Sequence, residues 1–124
     1  MCTHTGLIIP AIKVDTLMEV DVADHDVILI DEGQFFPDLY EFVSSKMGEK
    51  IHIFVAGLSG DFRQARFGQV IDLIPMASEC VHRTSVCDIC GRDAAFTKRK
   101  AGNIDGQIDP GGFDKYYPVC HMHL

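Results

Sequence analysis

No apolar run in this chain approaches the roughly 20 residues that span a bilayer. The opening residues, Met1 to Thr5, carry no basic segment leading into an apolar one, so no signal peptide is expected. There is no basic excess. With a formal net charge of −7 the chain has no cation surplus to release counterions, and nonspecific binding to nucleic acid is not expected. Internal repeats and low-complexity segments are absent. No G-x-x-x-x-G-K-[ST] stretch, the sequence form of a phosphate-cradling loop, occurs anywhere. The cysteines number five, an awkward count for a secreted disulfide framework. These absences leave a soluble, cytoplasmic protein without membrane segments as the expectation. With 47% apolar and 23% charged residues in 124, it is globular and of ordinary domain size.

The most ordered signal is Val27 to Phe36. Val27-Ile28-Leu29-Ile30 is a continuous branched apolar run, and it ends in the adjacent acids Asp31 and Glu32. Such a run reads as a strand over 27–31 buried on both faces, as in a parallel sheet. Parallel sheets put their ligand chemistry beyond the carboxyl ends of the strands, where these acids fall. On a regular strand the two would point to opposite faces and take different tasks. One could help hold hydrated magnesium and the other accept a proton. The bland alternative is an acidic strand terminus facing water.

Pro37 suits the first turn of a helix, Leu39, Phe42, Val43 and Met47 recur at helical spacing, and Gly48 is a plausible stop. Ile51 to Ala56 reads as a second strand, so a βαβ unit is expected. Before it, Leu7–Ile9 reads as a short strand and 13–22 as a short helix. After it, 57–68 reads as a glycine-punctuated loop, 70–74 as a short helix ended near Pro75, and 79–86 as a third strand. Phe35, Phe36, Phe62 and Phe67 offer flat surface that could sandwich a base, although aromatics at such spacing more often fill a core.

The composition shifts near residue 84. Cys87-x2-Cys90 and Cys120-x2-His123 form two knuckles separated by 29 residues. Thiolates and imidazole at this spacing suit a tetrahedral zinc ion, and four protein ligands leave no open position, so the zinc would be structural. The alternative is a pair of reduced knuckles that merely pack, and His121 competes with His123 as fourth ligand. About forty residues bury little core, which gives a metal staple its physical purpose. The segment 101–112 reads as a loop. The expected domains are 1–83 and 84–124.

At this point several blocks agree with a known family. Asp31-Glu32-Gly33-Gln34-Phe35-Phe36-Pro37-Asp38 resembles the signature after the Walker B strand of the thymidine kinases that carry a zinc-binding lasso domain. The resemblance continues through Ala56-Gly57-Leu58-Ser59-Gly60-Asp61-Phe62, Arg66-Phe67-Gly68, the first cysteine knuckle, Ala94-Ala95-Phe96-Thr97-Lys98-Arg99, and Gly111-Gly112-x-Asp114-Lys115-Tyr116 before Cys120. It covers roughly residues 25 to 124 in unbroken order.

The resemblance implies an α/β fold: part of a P-loop-type parallel sheet with a small zinc-ribbon or lasso domain. It implies transfer of the ATP γ-phosphoryl group to the thymidine 5′-hydroxyl with magnesium. Carried over by position, Glu32 is the base and Asp31 the Walker B carboxylate on magnesium. Phe35, Leu58, Phe62 and Phe67 line the nucleoside pocket, Thr97 lies near the pyrimidine methyl, and Gly111 and Tyr116 close the lasso. Cys87, Cys90, Cys120 and His123 hold zinc. Homo-oligomers, dimers or tetramers, are implied as well. Because the phosphate loop is missing, the chain is expected to correspond to the carboxyl-terminal part of such an enzyme and to be silent as a kinase by itself. A noncatalytic nucleoside-binding module is the competing reading. A zinc-ribbon adaptor resting on the knuckles and Lys98-Arg99-Lys100 is the weaker third.

Overall fold

The computed structural model describes residues 6–100 and 115–124. Its elements are β1 (Val27–Ile30), α1 (Leu39–Ser45), β2 (His52–Val55), β3 (Ser85–Val86), β4 (Asp93–Ala94), β5 (Phe96–Arg99) and β6 (Tyr116–Val119), with short 3₁₀ segments between them. The result is a mixed helix-and-strand fold with three two-stranded sheets among the described residues. β1 and β2 pair in parallel through Val27↔His52, Ile28↔Ile53, Leu29↔Phe54 and Ile30↔Val55. The expected strand–helix–strand unit is therefore present.

One face of the pair does the packing. Ile28, Ile30, Ile53 and Val55 lie against a core in which Leu39, Phe42 and Val43 of α1 meet Leu17 and Leu73. Leu39 is fully buried. The i, i+3, i+4 spacing of these three helix residues creates that stripe. Two hydrogen bonds to distant segments hold the helix entry. The Tyr40 N–H donates to Gln69 Oε1 at 2.8 Å, and the Met18 N–H donates to Asp38 Oδ2 at 2.9 Å. Both join α1 to segments distant in sequence, and the first satisfies a helix-terminal donor that has no intrahelical partner.

Several expectations need correction. β1 is not buried on both faces: Leu29 is 70% exposed, Phe54 opposite it 60% and Val27 49%. Among the described residues nothing covers this side, and an apolar run encodes strand propensity without saying how many faces find a partner. Leu7–Ile9 is exposed and forms no strand beyond a bridge residue at Ile8. The helix expected over 13–22 is a single 3₁₀ turn, Leu17–Glu19, with Leu17 as its one buried anchor. The segment Val70–Met76 is 3₁₀ and contains Pro75 rather than ending before it. A short 3₁₀ run has few i→i+3 bonds to lose, so a proline near its end is tolerated. The strand expected over 79–86 reduces to Ser85–Val86. Met47 lies beyond α1 and is exposed. The loop expected over 101–112 lies outside the described residues. No helix among the described residues is long and apolar enough to cross a membrane.

The second cluster is small. Cys87, Ala94, Val119 and Cys120 are its buried members, with Phe96 and Tyr117 packed against them. β3 pairs antiparallel with β4, and β5 with β6.

Candidate functional site

β1 ends at Ile30, one residue before the acids. Asp31 occupies a bend, and Glu32 takes a left-handed conformation, φ 54° and ψ 42°. Strict alternation of the two acids across a strand is thus overturned: the chain has already left the strand. Both side chains are exposed. The turn is held from below. The Gly33 N–H donates to the Ala56 carbonyl at 2.8 Å, fastening the turn to the end of β2. A Cβ on Gly33 would sit 2.8 Å from Val55 Cγ1.

A left-handed backbone costs an L-residue about 1–2 kcal/mol relative to glycine, and glycine returns part of that through unfolded-chain entropy. Glu32→Gly should therefore be more stable than Glu32→Ala by about 1 kcal/mol. Both lose the carboxylate, so the difference isolates the backbone. Urea denaturation of the two variants checks it, and equal midpoints would remove strain from the account. A strained residue carrying an exposed carboxylate at a strand's carboxyl end is the usual mark of a functional position.

Next to Glu32, Gln34 is buried. Its Nε2 donates to Glu32 Oε2 at 2.5 Å, and its Oε1 accepts from the Leu58 N–H at 2.9 Å. The loop over 57–68 is thereby attached to the acidic turn. Asp61 gives that loop its shape. It is buried, and its Oδ1 accepts from the Arg63 N–H at 2.8 Å and the Ala65 N–H at 2.9 Å. The Asp61 N–H donates to the Ala65 carbonyl at 2.8 Å and the Phe67 N–H to the Ser59 carbonyl at 3.0 Å, with a Gly60↔Arg66 bridge between. Asp61→Ala removes the acceptor of two part-buried backbone N–H groups and should cost roughly 1–2 kcal/mol. Asp61→Asn keeps an acceptor oxygen and should cost less. Paired denaturation curves read the contrast.

The aromatics expected to line a pocket fall into two contacts. Phe35 and the buried Phe67 meet edge to face, with centroids 5.5 Å apart at 87°. Phe62 meets Tyr116 of β6 at 6.1 Å, and the Arg99 guanidinium of β5 lies 5.8 Å from each ring. The cation near two ring faces adds an electrostatic attraction to the stack. Leu58 is exposed at the loop's start. Thr97 is on β5, opposite Pro118. Gly111 lies outside the described residues.

The four knuckle residues converge. Their ligating atoms all lie within 4.8 Å of one another. Cys87 Sγ is 3.6 Å and Cys120 Sγ 3.4 Å from His123 Nδ1, and Cys90 Sγ is 3.7 Å from Cys120 Sγ. Tetrahedral zinc with bonds of about 2.3 Å to sulfur and 2.0–2.1 Å to nitrogen has edges of roughly 3.6–3.8 Å. The cluster matches that size and could hold a metal ion. His123 belongs to it and His121 does not. Local structure explains the convergence. The Cys87 N–H donates to the Arg92 carbonyl at 2.7 Å and the Gly91 N–H to the Cys87 carbonyl at 2.8 Å, a tight turn that Gly91 closes at φ 73°. The Asp88 N–H reaches the Pro118 carbonyl at 3.1 Å and joins this knuckle to β6. Burial pushes the Cys87 thiol up, but the N–H groups of Cys120, Ile89 and Cys90 and the His123 side chain outweigh it, and its pKa falls to about 6. The Arg92 N–H pulls Cys90 down, yet burial and the Cys120 and Cys87 sulfurs raise it overall. A thiol held toward its thiolate, beside two further sulfurs and an imidazole, is a donor set suited to a divalent cation.

Sequence reasoning gave no role to Gln34 or Asp61, and to Arg99 only a place in the basic run behind the adaptor reading. Gln34 stood inside the quoted signature, and a polar residue between a strand end and two phenylalanines was the available signal.

A parallel strand–helix–strand unit with acids beyond its first strand, followed by a Cys/His cluster on small antiparallel ribbons, defines a mixed helix-and-strand protein with a candidate metal site. The sequence profile described as thymidine kinase matches residues 1–124. The chain is 40% identical over 124 residues to the thymidine kinase of Yaba monkey tumor virus, spanning 98% of this chain and 68% of that protein. It is 38% identical over 123 residues to human cytosolic thymidine kinase, spanning 98% of the chain and 52% of the relative. Thymidine kinase a of Arabidopsis thaliana is 42% identical over 131 residues, with 98% and 54% covered. The chain thus belongs to the thymidine kinase family. It spans about half the length of the human and Arabidopsis relatives.

Proposed function

We propose that this chain serves the ATP-dependent phosphorylation of thymidine at its 5′-hydroxyl, with Glu32 as the group that takes the hydroxyl proton. The observation that carries the reading is the junction after β1. An exposed carboxylate in a strained turn is hydrogen-bonded, through Gln34, to the loop bearing Leu58, Phe62 and Phe67. Phosphoryl transfer asks a protein mainly for positioning and charge neutralisation. Glu32 accepts a proton from the attacking hydroxyl. The Phe35–Phe67 and Phe62–Tyr116 pairs offer apolar surface to a pyrimidine, with Leu58 and Thr97 as further lining residues and Gly111 assigned to the same role by the sequence resemblance. Asp31, an exposed oxygen donor at the strand's carboxyl end, suits a hard, hydrated cation and would help hold magnesium, which neutralises phosphate charge when bound. Cys87, Cys90, Cys120 and His123 hold a structural zinc that staples the zinc-binding domain, 84–124, which follows the domain 1–83 and touches it through Phe62 and Tyr116. The parallel pair belongs to a P-loop-type sheet. A cytoplasmic location and homo-oligomers accord with the same reading.

Calorimetric titration of the zinc-supplemented chain with thymidine tests it. Saturable binding of thymidine, lost in Phe62→Ala, supports the reading. Transfer from labelled ATP is expected only when a phosphate-cradling segment is supplied, since this sequence contains none. Folded, metal-loaded chain that binds no pyrimidine nucleoside overturns the proposal. Binding that never supports transfer, even with such a segment, favours a noncatalytic nucleoside module.

A further inference from the structure

The geometry points to Gln34 as a positioning residue that ties the Glu32 carboxylate to the nucleoside loop, so that loop and base move together. This rests on the reading of Glu32 as proton acceptor. Gln34 is 5% exposed, and a buried amide needs its polar atoms satisfied. The two bonds it makes admit one sense. A backbone N–H can only donate, so the atom facing Leu58 must be the amide oxygen. The other terminal atom is then the NH₂ group, and it faces Glu32 Oε2. An ionised carboxylate can only accept, so the relay runs from the Leu58 N–H through Gln34 to Glu32. Its last link, 2.5 Å long, is a bond to a charged group, the stronger kind.

The surroundings keep Gln34 where it is. A Cβ on Gly57 would fall 2.6 Å from Gln34 Oε1, and a Cβ on Gly68 2.3 Å from the Gln34 carbonyl oxygen. Glycines at both ends of the loop leave room for this one residue, side chain at one end and backbone at the other. Glu32 is otherwise an exposed, flexible side chain on a turn, and free rotation would spread its carboxylate over several rotamers. Gln34 holds Oε2 and leaves Oε1 for the substrate hydroxyl. The chain that carries Leu58 also carries Phe62 and Phe67. A nucleoside that orders those rings therefore also orders the Leu58 N–H, the Gln34 amide and the base.

The test uses the zinc-supplemented full chain and nitrogen-15 NMR. The Gln34 side-chain NH₂ signals, assigned through their scalar connection to the Gln34 backbone, should move toward the positions of a free glutamine in Glu32→Ala, while the Leu58 amide keeps its protection. Gln34→Glu retains the acceptor for Leu58 but sets a carboxylate against Glu32. Leu58 should stay protected there and exchange faster in Gln34→Met. Unmoved Gln34 signals in Glu32→Ala overturn the inference. That arm alters only an exposed side chain, so it decides the matter even where Gln34→Met does not fold. When transfer is measurable, Gln34→Glu, which keeps the acceptor for Leu58, should lower kcat by about tenfold to a hundredfold with little change in thymidine KM, whereas Gln34→Met should also raise KM. A wild-type kcat for Gln34→Met alongside an inactive Glu32→Ala also overturns it. Full turnover by Glu32→Ala instead sinks the base assignment, and the NMR shifts then decide the relay separately.

Discussion

With Cys87, Cys90, Cys120 and His123 holding a metal as proposed, its removal should unfold residues 85–100 and 115–124 while β1, α1 and β2 keep their structure. The reason is the size of the second core. Its buried members are Cys87, Ala94, Val119 and Cys120, so two of the four are themselves ligands. Each ribbon there has two strands, and an isolated two-stranded ribbon is marginal in water. Structural zinc in small domains contributes roughly 10–16 kcal/mol of apparent binding free energy, far beyond what these few contacts supply. The first core, with Leu39, Phe42, Val43, Ile30, Leu17 and Leu73, contains no ligand. A strong chelator or Cys120→Ser should collapse the amide signals of residues 85–100 and 115–124 and spare those of 27–55. His121→Ala should change little, because His121 stands outside the cluster. His123→Cys should keep the metal. Purified chain with no zinc by elemental analysis, yet folded throughout, would overturn the metal assignment.

The two halves of the chain differed in how much their sequence revealed. Val27–Ile30 and His52–Val55 were legible because branched apolar runs have few alternatives, and Pro37 and Gly48 bracketed α1 correctly to within a few residues. The knuckles were legible because x2 spacing leaves thiolates little choice of arrangement. What pattern alone missed depended on distant partners. Leu29 read as interior, but its face, with Phe54 opposite, is uncovered among the described residues. Glu32 read as the next strand position, and its left-handed turn follows from Gly33 fastening to Ala56. Gln34 and Asp61 look like surface residues in a one-dimensional sequence. Their burial follows from backbone donors at Leu58, Arg63 and Ala65 that only the folded loop brings into range.

Gly68→Ala should cost roughly 2–4 kcal/mol and detach the loop from the acidic turn. Two costs combine at this position. Its φ is +62°, where a side chain costs about 1–2 kcal/mol. The added Cβ would lie 2.3 Å from the Gln34 carbonyl oxygen, 2.9 Å from its carbonyl carbon and 2.8 Å from its Cα. All three are backbone atoms and cannot rotate aside, so the strain joins the cost range of overpacking, about 1–3 kcal/mol. The backbone that must yield carries Gln34, and Gly33 just before it is fastened to β2. The loop is the softer side, so displacement should fall on Phe67 and Leu58 and lengthen the Leu58–Gln34 bond. Gly48 supplies the control: it too has positive φ, at +90°, but nothing lies within 4 Å of its Cβ position. Gly48→Ala should show the conformational cost alone. Denaturation midpoints of the two variants measure the steric difference, and thymidine titration reads its consequence. Gly68→Ala should lose binding while Gly48→Ala retains it. Equal losses of stability in the two variants would mean that the close approach of Gly68 to Gln34 is not held in the folded protein.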